Sequence, residues 1–195
     1  QLTTRPVAGF IHLTSSTTDT ILYTERGTGH IFAIDLKTNK ETRISGTTVA
    51  RVTEAYFNNQ GTEVVLVSEA DNSTEVVLMD LNSTSTNSTV ELPNNSKDFF
   101  FGSKGLLYSL VEDSQTNIYK MADGQSTEHL STPLIDVNIF YTSSNTYLVN
   151  RSAPYLTGNI YEFPDLHPLH SARYNLTAEP SQAGDLILVT YYDLD

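Results

Sequence analysis

The phrase HIFAIDL, His30 to Leu36, returns three more times along the chain: as EVVLMDL from Glu75, NIYKMAD from Asn117 and NIYEFPD from Asn159. Aligned on it, Ile31, Val76, Ile118 and Ile160 share one position, with successive spacings of 45, 42 and 42 residues. The next position holds Phe32, Val77, Tyr119 and Tyr161, and two further on stand Ile34, Met79, Met121 and Phe163. β-branched and aromatic residues suit a pleated, half-buried surface, so a recurrence of this kind marks strands that recur with the same faces buried. A repeat of 40 to 45 residues limits the chain to architectures built from stacked copies of one small unit.

The flanks of the phrase define that unit. Upstream lies a second strand, TILYTE (20–25), EVVLVSE (63–69), LLYSLVE (106–112) and TYLVN (146–150). Before it comes a third: VAGFIHL (7–13), VTEAYFN (52–58), DFFFG (98–102) and IDVNIFY (135–141). Downstream follows a short polar strand, ETRIS (41–45), TVEL (89–92), TEHLS (127–131) and HSARYNL (170–176). Turn residues separate them, as in KTNK (37–40), NNQG (58–61), EADNST (69–74), MADG (121–124) and TSSN (142–145), and no amphipathic helical period intervenes. Four short strands per repeat predict an all-β chain of β-propeller type, one sheet per blade, with the apolar first strand innermost and the polar fourth strand facing water. A β-sandwich also has evenly spaced strands, but it has no reason to repeat its sequence.

The predicted repeats are 7–45, 52–92, 97–131 and 135–176, followed by a terminal strand at 184–192, all within one domain spanning 1–195. That last strand either augments the fourth blade or opens a fifth. The repeat is cut in mid-phrase and the chain begins QLTT without Met. Both features lead to the expectation of a piece of a larger ring, with a leader removed or a segment excised.

VTEAYFNNQGTEVVLVS resembles the inner-strand and turn phrase of TolB-like and WD40-like bacterial propellers, with NNQG where they usually carry SPDG. YTERGTGHIFAIDLKTNKETRIS and VNRSAPYLTGNIYEF look like extracytoplasmic propeller proteins of ultrasmall candidate-phyla bacteria. The resemblance spans roughly residues 5 to 194 and rests on motifs that encode turns and strand burial. It implies a propeller fold outside the cytoplasm and brings no catalytic residues with it. The chain departs from the WD40 pattern in having no Trp-Asp dipeptide, no Trp and no Gly-His start.

Charge narrows the partners. Eleven Lys and Arg against 23 Asp and Glu leave a formal charge of −12, which repels phosphate backbones and anionic membranes. No nucleic-acid partner is expected, and no apolar run approaches the roughly 18 residues of a membrane-spanning helix. Cysteine is absent, which removes disulfides, thiolate catalysis and Cys-based zinc sites.

The residues with chemical potential are scattered. Asp165, His167 and His170 sit in PDLHPLH, but Pro164 and Pro168 break any helix that would align the two imidazoles, so this stretch reads as a solvated loop. His12 alternates with apolar neighbours in the first strand, while His30 and His129 stand alone. No Ser occupies a strained G-x-S-x-G elbow, and Glu25, Glu54, Glu69 and Asp71 form no recognisable carboxylate pair. EADNSTE (69–75) lacks the central Gly and the spacing of a calcium loop, and ERGTGH (25–30) precedes no helix that could receive a phosphate. No catalytic, cofactor or metal residue is therefore assigned.

Surface features carry the functional expectation. N-glycosylation sequons stand at Asn72, Asn82, Asn87, Asn94, Asn150 and Asn175, each an acceptor only in an extracytoplasmic setting. Tyr155, beside Pro154 in the loop RSAPYLTGN, is a candidate contact for a protein or glycan. The sequence thus predicts a non-catalytic extracytoplasmic binding or scaffold module that presents loops to a protein or surface glycan. The alternatives are a propeller attached to a peptidase or carbohydrate-active enzyme whose catalytic part lies outside this chain, or a surface-assembly subunit that self-associates through the strand edge near GDLILVTYY.

Overall fold

A computed structural model of the chain describes residues 1–70, 73–82, 89–102, 105–122, 124–135, 137–141, 146–150, 157–163, 165–180 and 187–192. Among them are 17 strands and no helix. The strands form antiparallel sheets, three of four strands and one of five, each with its strands in chain order. The architecture is therefore that of a β-propeller, one sheet per repeat. The chain divides into two compact units, residues 1–95 and 96–195.

In the first unit, sheet 1 comprises β1 (Val7–Thr14), β2 (Asp19–Glu25), β3 (Ile31–Asp35) and β4 (Lys40–Arg43), and sheet 2 comprises β5 (Val52–Phe57), β6 (Glu63–Ala70), β7 (Ser73–Asp80) and β8 (Thr89–Leu92). The repeat survives down to register. Tyr23 pairs with Phe32 in sheet 1 and Leu66 with Val77 in sheet 2, so the aligned positions occupy equivalent rungs. The first strands share an irregularity too, between Val7 and Gly9 and between Val52 and Glu54.

Turn chemistry explains several connections. The Asp35 carboxylate accepts the amides of Thr38 at 2.9 Å and Lys37 at 2.8 Å, and these bonds, the Thr38 amide foremost, hold its pKa below the usual carboxylate range. Asp80, at the same place in the second phrase, accepts the Asn82 amide at 2.8 Å. In NNQG, buried Asn58 accepts the amide of Thr62 at 2.8 Å and donates to the Thr62 hydroxyl at 2.8 Å, while Gly61 supplies a φ of 68°. A buried amide side chain is tolerated because both its donor and its acceptor are used.

Pleating sends alternate residues to opposite faces. Ile31 of sheet 1 packs with Val52, Val64, Leu66 and Met79 of sheet 2, joined by Val49 from the connection between them. The sheets approach so closely that a β-carbon on Gly9 would lie 2.0 Å from the carbonyl oxygen of Ala55. The opposite face of sheet 1 buries Tyr23, Phe32 and Ile34.

In the second unit, sheet 3 comprises β9 (Lys97–Gly102), β10 (Gly105–Glu112), β11 (Gln115–Ala122) and β12 (Gln125–Thr132). Asp113 and Ser114, with φ of 49° and 65°, form the two-residue connection of β10 and β11, the backbone pattern of a type I′ hairpin turn. Sheet 4 comprises β13 (Val137–Tyr141), β14 (Thr146–Asn150), β15 (Thr157–Phe163), β16 (His167–Pro180) and β17 (Ile187–Tyr192). Leu107, Ile118 and Leu130 of sheet 3 pack on Val137, Ile139 and Leu148 of sheet 4.

The terminal strand is the fifth strand of sheet 4, the first of the two outcomes expected from the sequence. Its route is unusual. Residues 167–174 of β16 pair with β15, and residues 174–180 pair with β17. Between them the register shifts and Asn175 takes a φ of 49°, a left-handed conformation that Asn tolerates better than most residues. Beyond this bend Leu176 joins Phe140, Val149 and Ile160 in a core flanked by Ala178, Ile187 and Val189. β16 thereby approaches β13, at the far edge of its own sheet. The β16–β17 hairpin doubles back and covers the face of sheet 4 opposite sheet 3.

One further expectation changes. His167 was placed in a loop and His170 at the start of the strand 170–176, yet β16 begins at His167, and the two pair with Glu162 and Ile160. Pro168 is tolerated there opposite Tyr161, beside a register shift.

Candidate binding surface

Two clusters merit a functional reading, one in each unit. The first lies on the face of sheet 1 opposite sheet 2. Arg5 stacks its guanidinium carbon 4.5 Å above the Phe32 ring. Its Nη1 donates to Glu25 Oε1 at 2.8 Å, and its Nε stands 3.6 Å from Glu41 Oε2. The Tyr23 hydroxyl donates to Glu41 and lies 3.2 Å from the Thr3 hydroxyl. Thr28 donates its hydroxyl to Glu25 Oε2 at 2.6 Å, and His30 Nδ1 lies 3.7 Å from that oxygen.

The Thr28 hydroxyl, then Arg5, holds the Glu25 carboxyl below its ordinary pKa. Burial pushes the His30 imidazole down, with Arg43 adding to the effect. Burial, then the hydrogen bond to Glu41, raises the Tyr23 phenol. Each group here is engaged by a neighbour, and Tyr23 is 1% exposed. The cluster closes over an aromatic face. The shallow open depression beside it is lined by Gln1, Leu2, Thr3, Thr4, Arg5 and Glu41.

The second cluster lies on β17. Leu188 is 63% exposed and Tyr192 65% exposed. Tyr191 receives the Arg173 guanidinium 4.9 Å above its ring and has the His170 ring 6.2 Å away. Along the strand Ile187 and Val189 turn to the core, while Leu188 and Thr190 turn to solvent. The strand thus presents two phenols and an aliphatic side chain at the surface, residue types suited to contact with a partner.

The residues singled out from sequence distribute as follows. Asn82, Asn94 and Asn175 are exposed. Asn150 lies in β14, and Asn72 and Asn87 fall outside the described residues, as does Tyr155. His12 contacts Asp19 at 2.8 Å, with both side chains solvated. Glu54 accepts the Tyr56 hydroxyl at 2.6 Å. ERGTGH forms a turn that docks on the start of β5, where the Gly27 amide donates to the Val52 carbonyl at 3.0 Å. Among the described residues no three His, Asp or Glu gather in a metal-binding arrangement. Arg5, Glu41 and Arg173 were not singled out from sequence. Tyr191 and Tyr192 belong to GDLILVTYY, the stretch whose strand edge was expected to mediate self-association.

No known protein family matches the chain, and no curated protein matches it. Solved structures do. The β-propeller domain of the Trilobed protease from Pyrococcus furiosus, described as having an open velcro topology, is 14% identical with a TM-score of 0.59 over 91% of this chain and 62% of that one. TolB from Agrobacterium tumefaciens is 14% identical with a TM-score of 0.58 over 89% of this chain and 66% of that one. The Cps50 (Swd1) β-propeller domain of Myceliophteria thermophila is 14% identical with a TM-score of 0.58 over 97% of this chain and 63% of that one. The chain spans less than two thirds of the length of each. It has the fold of TolB-like and WD40-like β-propeller domains.

Proposed function

We propose that this chain is a non-catalytic binding or scaffold module, working outside the cytoplasm and engaging a protein or surface glycan. The observation that carries this reading is β17, which displays Leu188, Tyr191 and Tyr192 on a strand held from behind by the core of sheet 4. Propellers present contacts on a rigid frame, and the site, not the fold, selects the partner. The extracytoplasmic part of the proposal is supported by the exposed sequon residues Asn82, Asn94 and Asn175 and by the resemblance described above.

The test is a photoreactive phenylalanine placed at position 192 in the native source, with position 56 as control. The expected result is one dominant adduct from 192 and none from 56. Equal labelling from both positions overturns the reading. So does turnover of peptide, ester or glycoside substrates by the purified chain. Protease treatment of intact cells tests location: a cytoplasmic protein survives it.

A second reading is favoured by the match to the Trilobed protease propeller. In it the chain is the propeller component of a peptidase, with the catalytic part outside this sequence. A complete reading frame carrying a hydrolase domain would decide for it.

A further inference from the structure

Among the described strands, the last of each sheet has one hydrogen-bonded neighbour, and the four edges are guarded unequally. β4 is KETR, with three charges in four residues. β8 is the four-residue TVEL and carries Glu91. β12 is QSTEHLST, polar throughout except for Leu130 and carrying Glu128. Charge and shortness are the usual protection of an edge against unwanted pairing. β17 is ILVTYY, with no charge, no Pro and no bulge within its pairing from Ile187 to Thr190. Its one hydrogen-bonded neighbour is β16, so among the described strands its outer backbone edge is unpaired. An edge of this kind is a template for an added strand, in which main-chain hydrogen bonds give affinity and alternate side chains give specificity.

The charges around it select the occupant. Glu179, exposed, pairs with Leu188, and in sequence Asp185 precedes the strand while Asp193 and Asp195 follow it. Arg173 is the nearby cation, and it lies over Tyr191. Two copies pairing β17 to β17 would each bring a formal charge of −12 to the contact. Like charges placed together oppose association, and opposite charges steer it.

We propose, resting on the binding-module reading, that β17 accepts an extended segment of another protein, apolar or aromatic at alternate positions and flanked by Lys or Arg. Main-chain bonds form along residues 187–192. Leu188, Thr190 and Tyr192 meet the alternate side chains of the incoming strand, and the acidic charge of the chain favours its basic ends.

The test uses the full chain, isotope-labelled, with a short peptide of alternating valine and threonine flanked by lysines. Two counterparts accompany it, one flanked by glutamates and one N-methylated at alternate residues so that one hydrogen-bonding edge is lost. The lysine-flanked peptide is expected to slow amide exchange within 187–192. The glutamate-flanked peptide is expected to bind at least about tenfold more weakly at low salt, and the N-methylated peptide not to protect the strand. Equal protection by the N-methylated peptide overturns strand addition, and so does the absence of protection by any peptide. Concentration-dependent protection of 187–192 in the chain alone makes a second copy the occupant and overturns the proposal. If no peptide protects β17 while position 192 still crosslinks to one partner, the binding-module reading stands and strand addition falls.

Discussion

The face of sheet 1 opposite sheet 2 and the face of sheet 4 opposite sheet 3 are covered by opposite means. On sheet 1, the face opposite sheet 2 carries Tyr23, Phe32 and Ile34, and Arg5, Thr3 and Glu41 close over it through ion pairs, hydroxyl bonds and a stacked guanidinium. On sheet 4, the face opposite sheet 3 carries Phe140, Val149 and Ile160, and the β16–β17 hairpin closes over it with Leu176, Ala178, Ile187 and Val189. The repeat supplies apolar residues at both places. Sheet 1 covers them with charge, which depends on pH and salt. Sheet 4 covers them with buried apolar area, which has no charge to titrate or screen.

The comparison breaks most visibly at the hairpin. Leu176 is 3% exposed within the apolar cover. Leu176→Ala is expected to cost about 2–5 kcal/mol, the range for a buried Leu truncated in a packed core, and to release protection of amides 187–192 first. Chemical denaturation with residue-resolved exchange reads both effects. A loss below about 0.5 kcal/mol, the size of a surface effect, would mean that the hairpin is not a cover.

The other face of sheet 1 gives an internal control. Gly9 lies where β1 meets β5, and an added methyl group meets the backbone oxygen of Ala55, which cannot rotate away. Gly9→Ala is expected to destabilise the first unit by about 1–3 kcal/mol, as overpacking does. Thermal melting checks it. An unchanged melting temperature would show that the two sheets can separate without cost.

How much of this could be read from the sequence depends on range. The strands, their order and the equivalent rungs at Phe32 and Val77 were legible because pleat and turn chemistry are local. The same holds for Asp35 and Asp80, each two residues from an amide it binds. The doubling-back of β16 was not legible. It turns on Asn175 adopting a positive φ, and a single Asn between Tyr174 and Leu176 does not announce which way the chain will bend. Arg5 was missed because its three partners, Glu25, Phe32 and Glu41, are 20 to 36 positions away. His167 of PDLHPLH was misplaced into a loop because two prolines outweighed a strand pairing that only the fold supplies.

Arg5 sharpens the comparison at lower energy. Arg5→Gln removes both ion pairs and the charge over Phe32 while keeping some of the aliphatic stem, and Arg5→Lys keeps the charge but loses the planar fork. The Phe32 ring resonances are expected to shift in both variants. The Tyr23 phenol should titrate higher in Arg5→Gln, because the guanidinium acts to lower its pKa. Exposed ion pairs contribute little to stability, so a large drop in melting temperature would show that Arg5 does more than cover the ring.

The smallest effect separates the two covers most cleanly, because titratable side chains close over the face of sheet 1 and apolar ones over that of sheet 4. His30 has its pKa lowered from an ordinary 6.5, so its contribution is full above 6.5 and falls as pH drops through its folded value. Glu25 is lowered from 4.5, so its contribution is full above 4.5 and is lost at still lower pH. Tyr23 is raised from 10.0, so its contribution holds below 10.0 and is lost as pH rises through its folded value. The polar cover is therefore strongest between pH 6.5 and 10.0. Leu176, Ala178, Ile187 and Val189 carry no titrating group. Normalised for intrinsic rates, amide exchange around residues 23–32 should quicken below pH 6.5, while that of 187–192 stays level until the whole unit opens. Added salt should move the first group in the same direction, since it screens Arg5 from Glu25 and Glu41. Parallel acid responses in both regions would mean that the two covers share one opening event, and the contrast between charge and buried area would then say nothing about how each face is held shut.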